Sequence, residues 1–133
     1  MPKHGGGFSL IELMIAVAIV GILGGFVYPL YSDYLKRAYR SEIIILLMEN
    51  AQALGQFYTK NGVYTGAQGL GSGNQYYSVT SDLADHAFLL TATRKEGSSM
   101  ADDSCGNFTL AHTGLMAMTQ AAPDLTPQQC WGR

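Results

Sequence analysis

Charge is scarce in this chain. Asp, Glu, Lys and Arg make up 14% of the 133 residues, and none of them falls between Leu13 and Ser32. Eight Lys and Arg face ten Asp and Glu, a formal charge of −2, so the overall basic excess that announces many nucleic-acid-binding proteins is missing. A basic stripe is missing too: beyond the apolar run, Arg94-Lys95, Lys60 and Arg133 form no cluster. His86 and His112 stand alone, and no nucleophile motif accompanies them, so no enzymatic constellation is legible and no cofactor is implied. The glycines between Asn61 and Asn74 neither follow a strand nor open a helix, which removes the phosphate-cradling reading. Cysteine is limited to Cys105 and Cys130. Both lie beyond the apolar segment, where an oxidising exterior makes a disulfide the natural expectation.

What the chain does have is concentrated at its start. Gly6-Gly7-Phe8-Ser9-Leu10-Ile11-Glu12-Leu13 leads into an apolar run that continues to Tyr31. As a helix at about 1.5 Å per residue, that run crosses a hydrocarbon core roughly 30 Å thick. Lys3 and His4 ahead of it keep the N-terminal end cytoplasmic and put the body of the chain outside. A carboxylate just inside such a helix is costly, and intramembrane acids have partners. The small residues precede the apolar region, whereas a secretory signal puts its cleavage site after it. Cutting between Gly7 and Phe8 leaves the helix on the mature chain, with a free amine at Phe8 one helical turn from Glu12.

This stretch resembles the class III signal of type IV pilins and type II secretion pseudopilins. Gly7, Phe8, Glu12, Gly21 and Pro29 match the pattern, and Ser9 stands where the family more often has threonine. The resemblance implies cleavage after Gly7 by the prepilin peptidase, N-methylation of Phe8, and an assembly role for Glu12, Gly21 and Pro29. The short leader and the phenylalanine resemble the type IVa class. Residues 1–7 are then a leader, 8–31 the membrane and assembly half of a helix, and 32–133 the globular domain.

Glycines at 21, 24 and 25 and Pro29 predict a kink or a loosened stretch, which the resemblance extends to unwinding in the filament. From Ser32, Ile43, Leu47, Ala51, Leu54 and Tyr58 recur at helical spacing, widened by Leu46, Ala53 and Phe57. One face covers a sheet. Ile43 to Met48 is apolar all round, which points to a second partner. Lys36, Arg37, Arg40, Glu42 and Glu49 read as a solvated face. The helix ends near Lys60-Asn61-Gly62, after about fifty residues or 75 Å. Strands are predicted at 76–80, 87–93 and 107–112, with a fourth at 115–119, forming an antiparallel meander on the helix. The fold class is therefore α+β.

Joining Cys105 to Cys130 ties down a segment, Ala121 to Pro127, that has two prolines and little capacity to fold alone. The arrangement resembles the disulfide-bounded C-terminal loop of pilins, and Cys105-Gly106-Asn107-Phe108-Thr109-Leu110 with Cys130-Trp131 looks like the PilE-type minor pilins. Asp102, Asp103 and Asp124 suggest the calcium region of major pseudopilins, but without a ligand loop they read as a solvated acidic turn. Asn107-Phe108-Thr109 is a formal sequon of little weight in a bacterial pilin. Met100, Met116 and Met118 read as packing.

The function implied is a minor pilin that helps prime or cap a type IV pilus and supports twitching motility, adhesion or DNA uptake. A type II secretion pseudopilin, which usually lacks the disulfide, and a DNA-binding competence pilin, which needs basic side chains, are the alternatives. The implied partners are other pilins, the prepilin peptidase and the inner-membrane assembly platform. The implied location is the inner membrane first and the extracellular pilus later.

Overall fold

The structure, a computed structural model, describes residues 6–132. Lys3 and His4, which carry the orientation expectation, lie outside the described residues, as does Arg133. In chain order the elements are α1 (Leu10–Asn61), β1 (Tyr77–Leu83), β2 (Phe88–Arg94), β3 (Asn107–Ala111), β4 (Met116–Thr119) and α2 (Pro127–Trp131). The chain divides into two units, Met1–Leu35 and Lys36–Arg133.

Helix α1 is started and stopped by local chemistry. The Ser9 hydroxyl accepts a hydrogen bond from the Glu12 amide at 3.3 Å, and the Ser9 carbonyl accepts from the Leu13 amide at 3.1 Å, an N-cap arrangement. At the other end Gly62 has φ +75° and its amide donates to Tyr58 O at 2.7 Å. A residue without Cβ adopts that left-handed cap without penalty. Contrary to the sequence expectation, the helix runs unbroken through Gly21, Gly24, Gly25 and Pro29. Pro29 deletes one hydrogen bond of a long ladder, a loss of about 3 kcal/mol that the neighbouring turns absorb.

In the second unit, Ile43, Leu47 and Leu54 share one buried cluster with Tyr77, Val79, Leu90, Ala92, Phe108 and Leu110. Their three- and four-residue spacing on α1 meets the two-residue alternation of the strands, so one stripe covers one sheet face. The sheet order is β1-β2-β3-β4, antiparallel throughout. Tyr77 faces Arg94, Leu90 faces Leu110, and Phe108 faces Met118 across the ladders. β1 runs three residues past its predicted end because every position to Leu83 finds a partner on β2. Ala53 is exposed, so the buried stripe is narrower than expected, while Ile45 is 56% exposed on the face that Ile43 to Met48 leaves uncovered.

Candidate functional site

Two regions hold the residues singled out by sequence. In the N-terminal unit, Gly7 and Phe8 precede the helix, and Phe8 is 86% exposed. Because α1 begins at Leu10, Phe8 lies outside it, and the one-turn spacing to Glu12 does not hold in this uncleaved chain. Glu12 sits in the first turn, where the exposed amides and the helix dipole favour a negative charge. A Cβ added at Gly7 or Gly21 meets nothing within 4 Å. Any demand for glycine there arises outside this fold. The helix is long and apolar enough to cross a membrane by length and composition, with a mean hydropathy of 2.5 over its best window. Leu10, Ile11, Leu13 and Met14 begin a series of apolar side chains that stay exposed to Tyr34.

In the globular unit, Cys105 and Cys130 form a disulfide with a Cα–Cα distance of 5.7 Å. Closing a loop of that length is worth roughly 3 to 4 kcal/mol in the chain-entropy picture. Gly106 permits the turn between the disulfide and β3: its φ is +68°, and a Cβ there would lie 2.2 Å from Thr119 O. Beside the bridge, Asp103 overturns the reading of a solvated acidic turn. Its side chain is 1% exposed and takes both Nε and Nη2 of Arg40, the former at 2.8 Å. Arg94 Nη1 donates to the Asp103 backbone carbonyl at 2.7 Å. Arg40 is likewise no part of a solvated face. A buried charge is tolerated only when matched, and the fork of Arg40 matches both carboxylate oxygens. Lys36 and Asp102 come no closer than 3.9 Å, with Asp102 largely exposed.

Asn107 is buried and its side-chain oxygen accepts from the Arg94 amide at 3.0 Å, so the sequon asparagine is occupied in holding β2 to β3. No group of three or more His, Cys, Asp or Glu suited to a metal occurs among the described residues. Tyr77 is fully buried, and burial followed by the field of Asp103 raises its phenol above the ordinary value, against the opposing pull of Arg40 and Arg94. Its hydroxyl and Arg94 Nε have no hydrogen-bond partner among the described residues.

At the far end of α1, Asn50 gives the glycine-rich loop its anchor. Its amide donates to Gly71 O and its oxygen accepts from Gly71 N, both at 2.9 Å. Thr65 Oγ1 donates to Asp85 at 2.8 Å, and the Tyr64 amide donates to Asp85 O at 3.0 Å, joining that loop to the β1–β2 turn. Tyr58 meets His86 Nδ1 at 3.2 Å and stands 4.6 Å from the Tyr64 ring.

Sequence reasoning missed Asn50, the Arg40–Asp103 pair and α2. Two of these had a signal. Asn50 occupies a position of the 43-47-50-54 stripe, where a polar residue must find a partner. Thr126-Pro127-Gln128-Gln129 spells a capping box with proline at N1, and both reciprocal bonds are present.

An exposed apolar N-terminal helix segment behind a Gly-Phe-x-x-x-Glu signal, joined in sequence to a four-stranded antiparallel sheet closed by a C-terminal disulfide, defines a type IV pilin. The model of a prokaryotic N-terminal methylation motif matches residues 3–28. A second family model, described as type IV minor pilin ComP, DNA uptake sequence receptor, matches residues 29–109, and the chain belongs to that family. The type IV major pilin PilE of Neisseria gonorrhoeae is 47% identical over 58 residues, 44% of this chain and 35% of its own length. The chain thus matches about a third of that relative. The fimbrial protein EcpC of Eikenella corrodens is 37% identical over 95 residues, 67% of this chain and 62% of its own. The solved structure of the non-core minor pilin PilV of Neisseria meningitidis aligns with a TM-score of 0.57 at 24% identity, over 70% of this chain and 98% of that one, a likeness of fold.

Proposed function

We propose that this chain is a minor pilin whose globular unit receives DNA during uptake, displayed on a type IV pilus that it also helps to prime or cap. The observation that carries the receptor reading is the match of the DNA-uptake receptor family over residues 29–109, from the second half of α1 through most of β3. That reading moves ahead of the plain motility and adhesion roles, which charge composition alone had favoured. On it, residues 1–7 are the leader, 8–31 the assembly half of α1 and 32–133 the displayed domain. The prepilin peptidase cuts between Gly7 and Phe8, Phe8 is methylated, and Glu12 docks against the terminal amine of a neighbour. Gly21 and Pro29 let α1 loosen in the filament. Before assembly the subunit waits in the inner membrane beside the assembly platform, and afterwards it is extracellular. Its work is binding and assembly, not catalysis.

The charge distribution sets how such a receptor behaves. Arg40 and Arg94 are engaged with Asp103, which leaves the exposed Arg37, Lys60 and Lys95 without an ion pair among the described residues. Neutralising about three phosphates gives a shallow salt dependence, with log K falling against log salt at a slope of about −3. The test uses the full chain in detergent with labelled duplex DNA, titrated from low to physiological salt. Retardation at low salt with that shallow slope supports the receptor reading, and absence of retardation at low salt removes it. Deleting the gene and scoring piliation, motility and transformation together separates the roles: loss of transformation in cells that remain piliated marks the receptor.

A further inference from the structure

A cleft of about 570 Å³ opens beside the disulfide, and Arg37, Arg40, Ser41, Ser104, Gln129 and Trp131 are among its walls. Arg37 is exposed there, and its guanidinium makes no ion pair or hydrogen bond among the described residues. The cleft therefore offers an unneutralised fork of N–H donors between hydroxyl and amide walls, which suits a carboxylate.

The same globular unit carries exposed carboxylates at its other end. Asp82 and Asp85 flank the β1–β2 turn, and no partner of the Asp82 side chain occurs among the described residues. The contacts of Asp85 with Tyr64 and Thr65 hold this turn next to the residues that follow α1. Between Arg37 and Asn61 the helix rises by roughly 35 Å at about 1.5 Å per residue, so cation and acid mark opposite ends of one body.

We propose that the Arg37 cleft receives the Asp82 carboxylate of a second copy of this chain, stacking globular units head to tail. This rests on the pilin reading. Complementary patches at two different places on one body make a heterologous contact, which repeats into an open helical array and not a closed dimer. Exposed charges of this kind set register and partner choice more than affinity.

The experiment overproduces the full chain in piliated cells, with Arg37→Cys on one tagged copy and Asp82→Cys on another, and oxidises the intact filaments. Mixed dimers are expected, with none from either variant alone. In a second arm Arg37→Glu lowers recovery in sheared filaments about fivefold, and adding Asp82→Arg to the same chain restores it. Filaments that contain the chain but yield no mixed dimers, or yield dimers of Arg37→Cys copies with each other, overturn the inference and leave the pilin reading standing. Unmodified chain that never enters filaments removes both. Loss of DNA retardation in Arg37→Glu with unchanged filament recovery assigns the cleft to phosphate and likewise overturns the contact between copies.

Discussion

Replacing Arg40 with methionine keeps the aliphatic stem and deletes both charged hydrogen bonds to Asp103, whose side chain is 1% exposed. The carboxylate then stays buried without its match, a loss of about 3–5 kcal/mol when one member of a buried pair is removed. For a unit of this size each kcal/mol shifts the melting temperature by about 4–8 °C, so Arg40→Met should melt at least about 12 °C below the parent. Trp131 is the chain's one tryptophan, lies 5.4 Å from Phe108 and donates its indole N–H to Ala117 O, so its fluorescence follows unfolding of the disulfide region. The control is Lys36→Met, which breaks an exposed 3.9 Å contact and should move the midpoint by less than about 1 kcal/mol. Adding Asp103→Leu to Arg40→Met removes the stranded charge and should recover part of the loss, giving single changes that are strongly non-additive. An Arg40→Met midpoint within about 2 °C of the parent, or purely additive changes, would falsify the buried-pair account.

Asn50→Leu strands Gly71 N and O, and should cost about 2 kcal/mol while speeding amide exchange in the loop before β1; unchanged exchange there would mean the loop is held by other contacts. Tyr77→Phe should be neutral or mildly stabilising at pH 7, since the hydroxyl it removes has no partner among the described residues. Folding raises the Tyr77 phenol, so the unfolded chain loses this proton first and stability falls as pH climbs above about 10. The Phe variant should flatten that alkaline limb, and an identical pH profile would contradict the assignment. Gly7→Val should leave an uncleaved precursor, because a side chain obstructs backbone approach at a scissile bond; mature-sized protein on a gel would refute it. Glu12→Val should be cleaved and inserted yet poorly incorporated, and recovery in sheared pili equal to the unmodified chain would show that this carboxylate does not dock.

The long helix, its end at Asn61-Gly62 and the order of strands were legible because each rests on local chemistry: an apolar run, a left-handed glycine cap, and alternation as in Asn107–Ala111. The disulfide was legible from arithmetic, since two cysteines allow one pairing. Asp103 was misread because nothing near it in sequence distinguishes it from Asp102. Its burial is decided by Arg40, which reaches it only after the sheet has formed. The DNA-uptake family was masked for a related reason. Composition counts cations without knowing that two of them are held by one aspartate, and a receptor that uses few phosphate contacts leaves little trace in net charge. The unbroken passage through Pro29 shows the limit of residue preference, since one missing donor weakens a ladder without ending it.

The Cys105–Cys130 bond also changes how the molecule responds to being pulled. A pilus bears tension, and a subunit drawn out by its two ends pays out slack in proportion to the residues that come free. With the bridge closed, the residues enclosed by a sequence separation of 25 contribute nothing to that slack. At about 3.3–3.6 Å per extended residue they withhold roughly 80–90 Å of contour. β3, β4 and the first four residues of α2 lie inside this enclosure, so force can peel β1 and β2 while those elements remain tethered to one another. A stretched subunit consequently keeps a short leash on its C-terminal elements, and these can reassemble without searching the full length of the chain.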